Sequence, residues 1–213
     1  MNSQKEEWKN KFGEDYTKRN MLTPSELNQL YLNRYGHSRS EMNHEFLDFL
    51  DRDINILEVG SNIGNQLNLL SKMGFENLYG VEINPKAIKY SNKLNADIPL
   101  YVIKGDALNL PFKNRFFELV FTSGVLIHIN PNSIDKAVNE INRCSNKYIW
   151  GFEYYTKNGY LEVEYRGKSD MLWKTDFKSL YLDNFPEMKL IKECLYPYHD
   201  DNELVDQMFL LEK

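Results

Sequence analysis

The stretch Ile54–Gln66, with the sequence INILEVGSNIGNQ, constrains the fold of this chain more than any other. It begins as a hydrophobic strand, Ile54–Val59, turns at Gly60 and Gly64, and continues as the amphipathic run Asn65–Lys72. A strand, a glycine-bearing turn and a helix in this order let the backbone approach a nucleotide closely and point a helix N-terminus at it. The stretch therefore predicts a site for a nucleotide-like ligand at the first strand of an α/β sheet.

Strands and helices alternate after this stretch. The later predicted strands are Asn77–Glu82, Leu100–Lys104, Glu118–Thr122 and Lys147–Glu153, and the predicted helices are Asn65–Met73, Pro85–Leu94 and Ser133–Cys144. Helices or long spacers between strands predict parallel pairing in a sheet covered on both faces. Two apolar runs, Met188–Tyr196 and Asp206–Glu212, close the chain and predict an antiparallel pair at the sheet edge. We therefore expect a Rossmann-like, seven-stranded, mostly parallel α/β sheet with an antiparallel C-terminal hairpin.

Two segments flank this predicted core. Residues 1–22 are polar with isolated aromatic residues, and they predict an arm that lays its aromatic side chains onto the body. Thr23-Pro24-Ser25-Glu26 predicts a helix start with a capping box, and a second helix is predicted over about Ser40–Leu50. Residues 154–180 interleave aromatic and charged side chains without clean periodicity. A segment of this kind after a central strand predicts a substrate lid, with a purely structural cover as the alternative.

The length of 213 residues favours a single domain. Within it we distinguish an arm with two helices over 1–50, a ligand-binding core over 51–153, the lid over 154–180 and the terminal strand pair over 181–213. The net charge of −5 argues against a nucleic-acid partner. The N-terminus lacks the apolar segment of a signal peptide, and no run is long enough to span a bilayer. Cys144 and Cys194 lack metal-ligand spacing, so we expect reduced thiols, no metal and a cytoplasmic location without a membrane partner.

The spacing of the glycines narrows the ligand. Dinucleotide-binding turns read G-x-G-x-x-G, and the middle glycine lets the pyrophosphate approach. Here the turn runs from Gly60 to Gly64 with Asn62 between them, so that glycine is missing. This spacing disfavours NAD or FAD and suits a ligand without a diphosphate.

Acidic residues end the next two predicted strands. Glu82 stands about 20 residues after the turn, where an acid can accept both hydroxyls of a ribose. Asp106 follows the third strand and can accept from the exocyclic amine of adenine, and the backbone N–H of Ala107 could serve a ring nitrogen. Because the carboxyl ends of parallel strands meet at one edge, these groups together predict an adenosine-containing ligand.

In this order, the motifs ILEVGSNIGN, GVEINPKAI, KGDALNLPF and FFELVFTSGVLIHI resemble those of class I S-adenosylmethionine-dependent methyltransferases, over roughly residues 50–153. The resemblance implies the class I methyltransferase fold, which ends in an antiparallel hairpin. It also implies S-adenosylmethionine as cofactor and S-adenosylhomocysteine as product. Asn62 stands where the family usually has glycine. Since asparagine tolerates left-handed backbone conformations better than most residues, we expect the turn to be preserved.

The same resemblance implies which residues contact the cofactor. Glu58 and Gly60 would line its methionine and ribose side, and the segment from Thr122 would run under the sulfonium. Arg19 of the arm could pair with the methionine carboxylate, although a solvent-exposed arginine is an equal alternative. The full set of expected cofactor contacts is Arg19, Glu58, Gly60, Asn62, Gly64, Glu82, Ile83, Asp106, Ala107, Thr122 and Ser123.

More narrowly, the whole chain resembles the small methylases associated with pseudaminic acid biosynthesis. Three stretches carry this resemblance: FGEDYTKRN from Phe12 to Asn20, GVLIHI from Gly124 to Ile129, and YRGKSDMLWKTDF from Tyr165 to Phe177. The resemblance implies a small-molecule acceptor, namely a nonulosonic-acid-type sugar or its nucleotide-linked or glycan-pathway precursor. It does not identify the acceptor atom or the oligomeric state.

A sulfonium methyl group is already activated, so the protein mainly has to hold a nucleophile in line with it in a dry pocket. A base is needed only if the nucleophile carries a proton of high pKa. His128, just beyond the fourth strand, is the first candidate for a base or polar clamp, and its alternative is a structural loop cap. Tyr16 of the arm is the second candidate. The expected substrate contacts are Glu153, Tyr154, Tyr155, Tyr165, Arg166, Trp173 and Lys174, of which Arg166 and Lys174 would suit an acidic or phosphorylated sugar.

Two other classes of function bear on this interpretation. A non-catalytic cofactor-binding partner in a glycan-modifying complex remains an alternative, since the sequence shows no obvious catalytic base or metal cluster. A nucleic-acid methyltransferase is disfavoured by the acidic charge balance. The chain also has TSGV where base-amine methyltransferases carry an N/D-P-P-Y/F motif after the fourth strand.

Overall fold

A computed structural model describes residues 2–201 and 203–213. The helices are α1 (Asn2–Lys9), α2 (Lys11–Arg19), α3 (Pro24–Tyr35), α4 (Arg39–Leu47), α5 (Asn65–Lys72), α6 (Pro85–Leu94), α7 (Pro131–Cys144) and α8 (Phe177–Asn184). The strands are β1 (Asn55–Val59), β2 (Asn77–Glu82), β3 (Leu100–Lys104), β4 (Phe117–Ser123), β5 (Ser145–Tyr154), β6 (Leu161–Glu162), β7 (Trp173–Lys174), β8 (Lys189–Pro197) and β9 (Val205–Glu212). A 3-10 turn, Leu126–His128, follows β4.

The main sheet has seven strands in the order β3-β2-β1-β4-β5-β9-β8. Strands β1 to β5 pair in parallel, whereas β9 is antiparallel to both β5 and β8. This arrangement confirms the predicted fold and its terminal hairpin. Because β9 runs against β5, its first residues lie at the edge where the parallel strands end. Asp206, for example, pairs with Tyr154 at the end of β5.

Both faces of the sheet are covered by helices. Ile56 points to the face covered by α4 and α5, and Leu57 points to the opposite face covered by α7. Both side chains are fully buried, as expected for a central parallel strand. The sheet is therefore a rigid platform, and its carboxyl-terminal edge is left for a ligand.

The N-terminal arm is helical, which its sequence pattern did not predict. Trp8, Phe12 and Tyr16 recur every four residues, so they share one side of α1 and α2 even though Asn10 separates the two helices. As expected, this aromatic side packs onto the body, with the Trp8 ring 4.6 Å from the His128 ring. The arm thus forms a roof over the edge of the sheet.

Helix α3 begins as the sequence predicts, with a reciprocal capping box between Thr23 and Glu26. Helix α4 begins at Arg39, one residue before the predicted Ser40, and Ser38 and Glu41 form a second capping box that was not predicted. Helix α4 ends at Leu47, before the predicted Leu50, because the chain then turns towards β1.

The segment 154–180 is more ordered than its sequence suggests. Strands β6 and β7 pair antiparallel within it, and α8 begins at Phe177, capped by the Asp176 carboxylate, which accepts the Ser179 N–H at 3.0 Å. Lys168 in this segment forms an ion pair with Glu7 of α1 at 2.8 Å. The segment and the arm therefore meet above the sheet edge. In the part of the chain that the structure describes, no helix is long and apolar enough to cross a membrane.

Candidate functional site

A cavity of about 610 Å³ opens at the edge where the parallel strands end. Its floor comes from the strand ends, its roof from the arm, and one wall from α3 and the start of β9. The lining residues used below are Lys5, Trp8, Tyr16, Thr17, Tyr31, Arg34, Tyr35, Glu58, Gly60, Ser61, Asn62, Gln66, Glu82, Ile83, Asp106, Ala107, Ser123, His128, Phe152, Tyr154 and Asp206.

The turn after β1 forms one side of the floor. Gly60 has φ 75°, and a Cβ there would lie 2.6 Å from Val125, so only glycine fits. Asn62 has φ 47°, which confirms the left-handed conformation expected from its sequence. Its side-chain oxygen also accepts the Thr17 hydroxyl at 2.9 Å. The turn is therefore fastened to the roof through α2.

The Glu82 carboxylate joins two strand ends. One oxygen accepts the Asn62 N–H at 2.8 Å, and the other accepts the Asn84 N–H at 2.7 Å. Burial raises the pKa of Glu82, while these backbone donors favour the charged form. Each oxygen keeps a second acceptor site, so the carboxylate can bind two further hydroxyl donors from the cavity.

Three buried acceptors beside the turn have no hydrogen-bond partner among the described residues. They are Glu58 Oε2, Ser61 Oγ and Gln66 Oε1, and all three residues line the cavity. Burial raises the pKa of Glu58 well above its ordinary value, and the charge of Arg39 opposes that shift. A buried acceptor without a partner is costly, so this corner suits a ligand group rich in N–H donors.

Asp106 lies directly under the roof. The Lys5 ammonium from α1 pairs with Asp106 Oδ2, and the Leu108 N–H donates to Oδ1 at 3.0 Å. Ala107 lines the cavity beside it. The first helix of the chain is therefore held at the acid that follows β3.

Arg39 supports the end of β4, although its sequence context gave no signal for such a role. Its guanidinium is fully buried and donates to Ser123 Oγ at 3.3 Å and to the Tyr31 hydroxyl at 3.2 Å. It also lies 4.6 Å from the centre of the Phe152 ring. These contacts fix α3 and α4 against the floor at Ser123.

His128 lies where the roof, the 3-10 turn and the segment 154–180 meet. Its Nδ1 is 2.7 Å from the Met171 carbonyl oxygen, so Nδ1–H donates and Nε2 keeps a free lone pair. Burial lowers the pKa of His128 to about 4, which keeps the ring neutral near pH 7. Trp8 and Tyr165 pack against it with ring centres at 4.6 and 5.0 Å. This geometry suits His128 to the role of a polar clamp. It suits the role of a general base less well, because a group of low pKa is a poor proton acceptor.

Tyr16 lines the cavity from the roof, and burial raises the pKa of its phenol. It is therefore a neutral hydrogen-bonding group. Glu153 lies outside the lining, beneath the 3-10 turn. Its carboxylate accepts the Val125 N–H at 3.0 Å, and burial raises its pKa to about 7. It holds in place the turn that carries His128.

The site residues expected from the sequence divide into two groups. Glu58, Gly60, Asn62, Glu82, Ile83, Asp106, Ala107, Ser123, Tyr16, His128 and Tyr154 line the cavity. Arg19, Gly64, Thr122, Glu153, Tyr155, Tyr165, Arg166, Trp173 and Lys174 lie outside its lining. Arg19 is solvent-exposed, Trp173 is buried, and Tyr165 supports His128 from behind.

The wall beyond Ser123 carries groups that the sequence analysis did not single out. Asp206 is buried, accepts the Tyr35 hydroxyl at 2.5 Å and the Tyr198 hydroxyl at 3.2 Å, and lines the cavity together with Arg34. The available signal was an acid at the start of the last predicted strand, Asp206–Glu212, which belongs to the antiparallel pair. Among the described residues, no group of three or more His, Cys, Asp or Glu side chains is placed to hold a metal ion.

Comparison with known proteins agrees with this fold. Residues 57–147 match a family model described as a methyltransferase domain. No curated protein matches the sequence. Because the structural likenesses below are all under 25% identity, they establish the fold alone.

Three solved structures illustrate the shared fold. A complex of the Haloferax volcanii Trm112 methyltransferase activator with a methyltransferase gives a TM-score of 0.72 at 10% identity, covering 99% of this chain and 97% of that one. The Burkholderia thailandensis 1,6-didemethyltoxoflavin-N1-methyltransferase, bound to 1,6-didemethyltoxoflavin and S-adenosylhomocysteine, gives 0.64 at 13% identity, covering 82% and 76%. An S-adenosylmethionine-dependent methyltransferase of Methanosarcina mazei gives 0.62 at 15% identity, covering 78% and 95%.

Proposed function

We propose that this chain, whose residues 57–147 match a methyltransferase domain, is an S-adenosylmethionine-dependent methyltransferase that methylates a small molecule of the nonulosonic-acid type. The acceptor is such a sugar or its nucleotide-linked or glycan-pathway precursor. The cofactor and the acceptor share the cavity at the sheet edge.

The observation that carries the cofactor assignment is the set of unsatisfied acceptors beside Glu82. Glu58, Ser61 and Gln66 offer buried oxygen atoms without partners, which fit the ammonium group of the methionine portion. The second acceptor sites of the Glu82 carboxylate fit the two ribose hydroxyls. The residues present therefore suit this cofactor chemically, because these acceptors would meet its ammonium group and its ribose hydroxyls.

The remaining residues position and enclose the ligands. The sulfonium supplies an activated methyl group when the cofactor is bound. Asp106 and Ala107 would hold the adenine edge, and Ser123, braced by Arg39, would form the floor beneath the transfer position. Trp8, Tyr16 and His128 would exclude water from above, which strengthens electrostatic interactions inside the cavity.

Two observations support a small acceptor that resembles a sugar acid. The cavity volume of about 610 Å³ falls in the range of roughly 300–1,000 Å³ for small-molecule sites. Its wall beyond Ser123 combines tyrosine hydroxyls, a carboxylate and the cation of Arg34. The sequence resemblance to methylases associated with pseudaminic acid biosynthesis supports the same substrate class.

The test has two stages. Calorimetry with S-adenosylhomocysteine should give micromolar binding, and no binding would contradict the assignment of the cofactor site. Labelled methyl groups should then transfer from S-adenosylmethionine into nonulosonic acids or their nucleotide-linked forms. Binding without transfer into any of these acceptors would favour the non-catalytic partner instead, although the matched methyltransferase domain favours the enzyme.

A further inference from the structure

Asp206 lies in the cavity wall beyond Ser123 because β9 runs antiparallel to β5. Strand β9 is antiparallel to β5, and Asp206 pairs with Tyr154 in the register, while Ser123 pairs with Phe152. With neighbouring strands roughly 4.8 Å apart, Asp206 lies two strands away from Ser123, or about 10 Å to the side. A sugar ring fits between these two positions, and both residues line the same cavity.

The Asp206 carboxylate is buried, and tyrosine hydroxyls set its orientation. Only 2% of the residue is exposed. Tyr35 from α3 donates to Oδ2 at 2.5 Å, and Tyr198 from the loop before β9 donates to the same oxygen at 3.2 Å. Oδ1 has only a longer contact, 3.4 Å, to the Tyr198 hydroxyl. This leaves acceptor capacity on Oδ1 for a donor from the cavity.

Further charged and titratable groups surround this carboxylate. Burial raises the pKa of Asp206 to about 6, while the tyrosine hydrogen bonds and the charges of Arg34 and Lys174 oppose that shift. Tyr154 faces it from β5, and burial raises the pKa of that phenol well above its ordinary value. Asp206 is therefore the acid in this cluster that changes protonation near neutral pH, which suits a general base.

Arg34 supplies a cation beside this acid. Its guanidinium lies 5.0 Å from the centre of the Tyr198 ring and lines the cavity. Among the described residues, no carboxylate forms an ion pair with it. A planar guanidinium without a carboxylate partner matches a ligand carboxylate or phosphate in bidentate geometry.

We propose that Asp206, Tyr35 and Arg34 form the acceptor subsite, in which Arg34 binds an anionic group and Asp206 takes the proton of an acceptor hydroxyl. This inference rests on the proposed function and makes the reaction an O-methylation of a hydroxylated acid. As the new oxygen–carbon bond forms, the carbon–sulfur bond breaks and its electron pair stays on sulfur. The hydroxyl proton passes to the Asp206 carboxylate, and neutral S-adenosylhomocysteine leaves.

The first experiment measures acceptor binding, separately from catalysis. N-acetylneuraminic acid serves as the acidic probe and N-acetylmannosamine as the neutral one, each titrated into protein saturated with S-adenosylhomocysteine. The acid should bind at least tenfold more tightly than the neutral sugar, and Arg34→Ala should remove that preference. Asp201→Asn, an exposed acid in the neighbouring loop, is the matched control and should leave both affinities unchanged.

The second experiment measures the pH profile of single-turnover methyl transfer to N-acetylneuraminic acid. The rate should rise through about pH 6 in the unchanged protein. Asp206→Asn should lower it at least a hundredfold and remove this rise. Tyr35→Phe removes a hydrogen bond that lowers the pKa of Asp206, so it should move the midpoint to higher pH.

The outcomes separate this inference from the proposed function. Absent S-adenosylhomocysteine binding would overturn the proposed function itself. If S-adenosylhomocysteine binds, the acceptor subsite is overturned by any of three results: no binding of the acidic probe, equal binding of the acidic and neutral probes, or an unchanged pH profile in Asp206→Asn. S-adenosylhomocysteine affinity should be the same in Asp206→Asn and in the unchanged protein, which verifies that the variant folds.

Discussion

The Glu82 carboxylate accepts the backbone N–H of Asn62 at 2.8 Å, which ties the end of β2 to the turn after β1. This single hydrogen bond joins the two sequence features that predict an adenosine ligand. It orients a buried carboxylate so that its remaining acceptor sites face the cavity.

Replacing Glu82 by alanine should weaken S-adenosylhomocysteine binding at least tenfold, because hydrogen bonds to a charged group contribute roughly 1.5–3 kcal/mol. Calorimetry measures the loss. The matched control is Glu118→Ala, which also removes a carboxylate bonded to a backbone N–H, that of Asn55 at 2.8 Å, but outside the cavity lining. Equal affinities in Glu82→Ala and Glu118→Ala would contradict the assigned ribose site.

Two substitutions at Asn62 distinguish the free-energy cost of its left-handed backbone from the loss of its side-chain hydrogen bond. Asn62→Ala and Asn62→Gly both lose the hydrogen bond from Thr17, but only alanine is strained at φ 47°. We expect Asn62→Ala to be less stable than Asn62→Gly by about 1 kcal/mol. Urea unfolding measures this difference, and equal stability of the two variants would show that the turn relaxes without strain.

Gly13 lies where the arm packs closely onto the sheet edge. A Cβ there would lie 1.9 Å from the Trp8 carbonyl oxygen and 2.8 Å from Asn84 Nδ2, which donates to that same oxygen. Gly13→Ala should therefore displace α1 and lower S-adenosylhomocysteine affinity, while the sheet stays folded.

Limited proteolysis between α1 and α2 should accelerate in Gly13→Ala. Lys11→Ala is the control, since that side chain is exposed on the same helix. A variant that resists protease as well as the unchanged protein, with undiminished affinity, would show that the arm is no part of the site.

His128 should make stability fall in mild acid. Its pKa is about 4 in the folded protein and near 6.5 when unfolded, so below pH 6.5 the unfolded chain binds the extra proton. Stability is therefore lost as the pH falls from 6.5 towards 4, by about 2 kcal/mol between pH 7 and pH 5.

His128→Asn removes the titration while keeping an N–H donor for the Met171 carbonyl. Urea unfolding at the two pH values should show a smaller loss for this variant than for the unchanged protein. Identical losses would mean that His128 is protonated in the folded state as readily as in the unfolded one.

The floor of the cavity could be predicted from the sequence because short motifs and parallel strand pairing determine where its residues lie. The turn at Gly60 and the acid Glu82 belong to consecutive strand-and-helix units, and parallel pairing brings their strand ends to one edge. The match of residues 57–147 to a methyltransferase domain covers this same region. Local pattern and topology were sufficient here.

The roof and the acceptor wall could not be predicted in this way. Lys5 meets Asp106, and Tyr35 meets Asp206, across 101 and 171 residues of sequence. Arg39 is buried beside Ser123 only because α3 and α4 fold back over the sheet. Such contacts depend on how elements that are distant in sequence pack together, so the local periodicity of the sequence does not predict them.

The ion pair between Glu7 and Lys168 has a kinetic consequence. Both side chains are about 40% exposed, at 39% and 41%, so dissolved salt screens their attraction. Because this pair fastens the arm to the segment 154–180 above the cavity, we expect the spent cofactor to leave only after the two separate. Its residence time should therefore shorten as ionic strength rises, and Lys168→Ala should reach that short residence time without added salt. Stopped-flow release of S-adenosylhomocysteine, measured at low and high salt, would show whether a surface charge pair limits the pace of the catalytic cycle.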